Sequence, residues 1–136
     1  DWAETMLRRH PASMIYLRNV QHFRSEEDFF APRVMAEACD WLEANRRQPR
    51  FYLHIDSFDV HEPFHVPEPY RSLYTDDDYR RYTPWPPYGP AEAIGNDELA
   101  WVRAQFAGKL TMVDAHLCRV LDALERHDLC ERTCVI

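Results

Sequence analysis

From residue 99 to residue 124 the apolar side chains Leu99, Val102, Phe106, Leu110, Val113, Leu117, Val120, Leu121 and Leu124 step by threes and fours along one stripe. Only an α-helix keeps residues so spaced on one side, so the pattern predicts a single helix of about eight turns with a long face to bury. Asn96 stands as its cap, and Asp97 and Glu98 complement the positive end of its dipole. A second amphipathic helix is predicted over 32–46, where Val34, Met35, Ala38, Trp41, Leu42 and Asn45 recur at the same period. Ser25 upstream is a candidate cap, followed by acids, and Pro32 suits a first turn.

Between the helices, "RFYLHIDSF" is rich in aromatic and branched residues and predicts a strand over 51–57, covered on both faces. Residues 58–95 hold seven prolines with aromatics between them, a connection long enough to expect a functional loop or lid. "RTCVI" at the end predicts a second short, buried strand. Helix, strand, loop, helix, strand is the βαβ order, so the expected fold class is α/β with a parallel sheet segment. Two strands cannot bury both faces of a sheet, so further strands are expected from outside the chain. Residues 1–24 show no sustained period.

The net charge of −7, with arginines scattered among acids, opposes a phosphate backbone and argues against nucleic acid. No apolar run approaches the ~20 residues of a membrane span. A start at Asp1 and an end on the apolar run Cys134, Val135, Ile136 suggest an internal segment of one domain. Its parts are an approach segment over 1–31, a helix and strand over 32–57, the proline-rich loop over 58–95, and the long helix and strand over 96–136. Cys39, Cys118, Cys130 and Cys134 have no metal-finger spacing and are expected as free thiols, with Cys134 a small buried hydrophobe. A metal clip from Cys130, Cys134 and His127 is the weaker reading.

The chemistry-bearing stretch is "HIDSFDVHEPFHVPEPY", residues 54–70, at the expected strand end where α/β proteins gather ligands. Alternation along a strand separates its histidines, so a self-contained metal cluster of His54, Asp56, Asp59 and His61 is disfavoured. The carboxylates are expected to bond loop amides. His54 reads as a core histidine and His65 as a solvated one. Asp76, Asp77 and Asp78 lack the glycine and closing glutamate of a calcium loop and read as solvated. Tyr82, Trp85 and Tyr88 either wall a substrate or pack the loop down.

"FYLHIDSFDVHEPFHVPEPYRSLYTD", followed by "AQFAGKLTMVDAHLCRVLDALERHDLCERTCVI", resembles the middle of sulfatases of the alkaline phosphatase superfamily. Asp59, His61 and Pro63 fall on D-x-H-x-P. Phe106, Leu110, Val113 and Asp114 fall on the helix motif, and Leu121, Leu124, Thr133, Val135 and Ile136 on the later positions. The resemblance runs from about residue 32 to the end and implies a partial alkaline-phosphatase-like fold. It implies hydrolysis of a sulfate ester by a formylglycine nucleophile, with a divalent cation, usually calcium, neutralising the sulfate oxygens. His61 is implied as the catalytic and substrate-binding residue, contacting the sulfate or the leaving oxygen, and Asp114 as a structural one. Where the family often has glycine, this chain has Cys118 and, at the helix C-terminus, Asp128. The nucleophile motif C/S-x-P-x-R occurs nowhere in the sequence, and the D-H-G or D-N metal motif is expected a few residues past Ile136. The nucleophile and metal ligands are therefore expected outside the chain, which would itself bind no metal and be inactive alone. A phosphodiesterase or phosphoethanolamine transferase of the same superfamily is the alternative. A non-catalytic interaction module built on the proline loop is the alternative from another class.

Overall fold

The computed structural model of the chain describes residues 13–76, 85–86 and 88–136. Three α-helices carry it: α1 (Ser13–Val20), α2 (Phe30–Asn45) and α3 (Asn96–Arg126). Short 3-10 turns stand at Glu26–Asp28, Ala91–Ala93 and Cys130–Arg132. Residues 77–84 of the proline loop, including Asp77, Asp78 and Tyr82, lie outside the described residues.

The expected α/β class is overturned, because among the described residues there is no strand and no sheet. The reason is visible in "RFYLHIDSF". Burial alternates along it, with Phe51, Leu53 and Ile55 packed inward on the helical core and Tyr52, His54 and Asp56 exposed. The period-two pattern therefore reports an extended backbone with one buried face, not two. A strand also needs a ladder partner, and hydrophobic alternation is blind to that. "RTCVI" likewise forms no strand: after the 3-10 turn the chain is irregular, and Cys134, Val135 and Ile136 are exposed.

The helices follow the sequence more closely. α2 begins two residues before Pro32, which sits in the first turn, where the backbone N–H groups have no intrahelical acceptor to lose. Ser25 opens the preceding 3-10 turn instead, and the Asp28 carboxylate accepts from the N–H groups of Ser25 (3.1 Å) and Arg24 (2.6 Å). α3 starts at Asn96 itself, with Gly95 as its cap. At its other end Asp128 takes a left-handed φ of 54°. The Asp128 N–H donates to the Glu125 carbonyl (3.0 Å) and the Leu129 N–H to the Leu124 carbonyl (2.9 Å), the paired bonds of a Schellman stop. Helix α1 has too short a periodic run to be read from the sequence.

The core lies between α2 and α3, where Met35, Ala38 and Leu42 pack on Val120, Ala123 and Leu124, closed below by Leu129. Truncating a buried leucine such as Leu42 to alanine costs about 2–5 kcal/mol. A polar tie fastens the 3-10 turn to α3. The buried His116 donates through Nε2 to Glu26 (3.0 Å), and its Nδ1 accepts from Arg119 (3.2 Å). Because a guanidinium only donates, Nδ1 carries the lone pair and Nε2 the proton.

Candidate functional site

The N-terminal half of α3 is a platform on which the proline-rich loop is docked. Gln105, Gly108 and Lys109 fall on its buried face. The Gln105 side chain donates to the Arg71 carbonyl at 3.0 Å. Gly108 lies beneath the Tyr70 backbone, where a Cβ would stand 2.3 Å from the Tyr70 carbonyl oxygen. Lys109 uses its three ammonium protons on the loop, donating to the His61 carbonyl (2.7 Å), the Pro63 carbonyl (3.1 Å) and the Asp59 carboxylate. The Lys109 and Asp59 side chains are 7% and 6% exposed, so this is a buried pair with its donors satisfied.

That anchorage fixes residues 59–63 and turns the His61 side chain outward. Its ring stacks on Phe58, centroids 4.3 Å apart and planes at 28°. Nδ1 faces the Glu62 carboxylate (3.1 Å) and the Glu62 carbonyl (3.0 Å). Both are acceptors, so Nδ1 carries a proton and Nε2 is the atom left for a ligand. In the neutral ring Nε2 accepts, for instance from a hydroxyl; in the doubly protonated ring it donates to an anionic oxygen. The other Glu62 oxygen accepts from the Tyr88 hydroxyl, which ties the far limb of the loop to the same point.

Asp59, His54 and His65 are placed differently from expectation. Asp59 is spent on Lys109 rather than on loop amides. His54 is exposed, not in the core. His65 is not solvated: it packs edge-on against Tyr16 and Phe29, with centroids 5.9 and 5.2 Å away, and its Nδ1 bonds the Tyr16 hydroxyl at 2.6 Å. Burial, with help from the Lys109 and Arg71 charges, pulls its pKa from the ordinary 6.5 to about 4, so the ring is neutral near pH 7. Burial, with the Asp59 charge behind it, raises the Tyr16 hydroxyl well above its usual range. Trp85 packs on Tyr16, centroids 5.7 Å apart, and so holds the loop down. His127 bonds the Glu43 carboxylate (2.8 Å) rather than joining Cys130 and Cys134, and all four cysteines are free thiols.

Among the described residues no three His, Cys, Asp or Glu side chains are disposed as cation ligands. A cleft of about 500 Å³ lies beside the loop, lined by Leu17, Val20, Phe29, His65, Glu68 and Arg71 among others, and His61 does not line it. No described helix is long and apolar enough to cross a membrane.

Lys109 and Gln105 were the residues that sequence reasoning passed over. Their signal was available, since a lysine and a glutamine on the buried arc of an amphipathic helix must be satisfied from elsewhere in the fold. No family model, curated protein or solved structure matches the chain.

Proposed function

We propose that the chain is the His61-bearing part of a sulfuric ester hydrolase, acting on a sulfate ester with a formylglycine nucleophile and a divalent cation contributed by residues outside it. The observation that supports this reading is the outward His61 ring, held on a backbone that buried Lys109 fastens at both His61 and Pro63. A donor aimed at developing charge contributes most when its direction is fixed before the reaction, because no reorganisation is then needed. With Nδ1 committed to Glu62, Nε2–H of the doubly protonated ring would meet a sulfate oxygen or the leaving oxygen.

The test is turnover of 4-nitrophenyl sulfate, with calcium, by the enzyme that contains this chain. His61→Ala should lower turnover by roughly 10²–10³, as loss of one preorganised donor does, and leave the Tm nearly intact. His54→Ala, an exposed histidine in the same stretch, is the control and should cost far less. Near-normal turnover in the His61 variant, or equal losses in both, overturns the reading. Turnover of bis(4-nitrophenyl) phosphate in place of the sulfate ester would move the assignment to the phosphodiesterase alternative.

A further inference from the structure

Part of the apolar stripe that the sequence predicts for α3 is left uncovered by the described residues. Phe106, Leu110, Leu117 and Leu121 are 40%, 49%, 39% and 44% exposed. At 3.6 residues per turn they fall within a sector of about 60°, to one side of the arc that holds Gln105, Lys109, Met112 and His116. Isolated surface leucines need no explanation, but four large side chains in register along four turns do. Phe106 is partly covered by Phe64, centroids 5.6 Å apart, and the stripe continues from there towards the C-terminus of the helix.

The spacing of the stripe is four, seven, four, and it reads the same in both directions. A twofold axis near Val113 and Asp114 therefore brings Phe106 of one copy onto Leu121 of another, and Leu110 onto Leu117, as an isologous interface requires. The charges beside the stripe obey the same reversal. Exposed Arg103 and Glu125 stand on one flank, and the antiparallel register sets each Arg103 beside the other copy's Glu125, twice per pair. We propose that this face of α3 binds a second copy of the chain, α3 antiparallel to α3, with Leu110 and Leu117 at its centre. Asp114 and its symmetry mate share a flank near the axis, an unfavourable approach within the register. A single-helix seam is at the small end of specific interfaces, so association in the micromolar range or weaker is expected.

Sedimentation equilibrium of the protein that contains this chain, from about 1 to about 200 μM, tests this directly, with a monomer–dimer equilibrium expected. Leu117→Glu should weaken association at least tenfold with helix content unchanged by circular dichroism. Arg103→Glu should weaken it several-fold, and adding Glu125→Arg should restore it. Within one helix those two residues are about 33 Å apart at 1.5 Å per residue, so rescue can only come from a contact between copies in this register. Asp114→Asn should tighten the dimer. A monomer throughout the concentration range overturns the proposal, and so does a dimer that Leu117→Glu leaves intact or that the charge swap fails to restore. The charge-swap positions are exposed, so the test survives even if a leucine variant misfolds.

Discussion

Lys109 and Asp59 form a buried ion pair that joins the middle of α3 to the loop just before His61. Its desolvation is offset because the ammonium also donates to the carbonyls of His61 and Pro63. Lys109→Met should therefore leave a buried carboxylate and two carbonyls unpaired and cost about 3–5 kcal/mol in urea unfolding. Adding Asp59→Leu should recover part of that loss, since the pair is then replaced rather than broken. A single variant as stable as the parent would mean that the pair does not hold the loop.

Gly108 tests the same docking by shape. Alanine is favoured over glycine within a helix by about 1 kcal/mol, so Gly108→Ala would stabilise α3 in isolation. In the fold the added methyl meets the Tyr70 carbonyl oxygen at 2.3 Å, and backbone cannot give way as a flexible side chain can. The overpacking cost, about 1–3 kcal/mol, should exceed the helical gain and lower the Tm. Gly95→Ala, which meets nothing within 4 Å, is the control.

The two long helices were legible as helices because the period reports backbone state, and Met35, Ala38 and Leu42 with Val120 and Leu124 are the observed core. Phe106, Leu110, Leu117 and Leu121 of the same predicted stripe are exposed, because periodicity does not say which part of a face finds a partner. The extended segment around Leu53 was legible only in part. Alternation gave its conformation and its packed face, but pairing depends on a neighbour distant in sequence. The same blindness to distant partners misplaced His54 and His65. Their burial is set by whether Tyr16 and Phe29 come to meet them, and a 49-residue separation leaves no local trace. Lys109, by contrast, could have been found from its place on a buried helical arc.

Asp128 stands where a helix end commonly has glycine, and its φ of 54° lies in the left-handed region. A residue with a Cβ is strained in the left-handed region, where glycine is not, although aspartate is among the better-tolerated exceptions. Asp128→Gly should therefore raise stability by about 0.5–1 kcal/mol despite the extra freedom it gives the unfolded chain. Chemical denaturation measures this, with Asp128→Ala expected to destabilise. Equal midpoints for the aspartate and glycine proteins would show that the stop carries no strain.

Burial holds both groups of the Tyr16–His65 contact neutral, and that sets a pH window for stability. The folded state holds His65 neutral down to about pH 4, while the unfolded chain takes up its proton near 6.5. Between those values the unfolded state binds more protons, so stability is complete above pH 6.5 and is lost as pH falls towards 4. At 1.36 kcal/mol per pH unit the loss reaches about 3 kcal/mol. The sign reverses on the alkaline side. Tyr16 keeps its proton in the fold above pH 10, where the unfolded chain releases it, so stability should fall again there. Carboxylates held low by their partners, such as Asp28 and Glu68, add an acid loss, but in a lower range than the histidine. Two substitutions separate the limbs. His65→Gln keeps an acceptor for the Tyr16 hydroxyl and should flatten the slope between pH 6.5 and 4, leaving the alkaline fall in place. Tyr16→Phe should do the reverse. Urea midpoints collected from pH 4 to 11 provide the check, and an acid slope that persists in His65→Gln would assign the loss to the carboxylates instead.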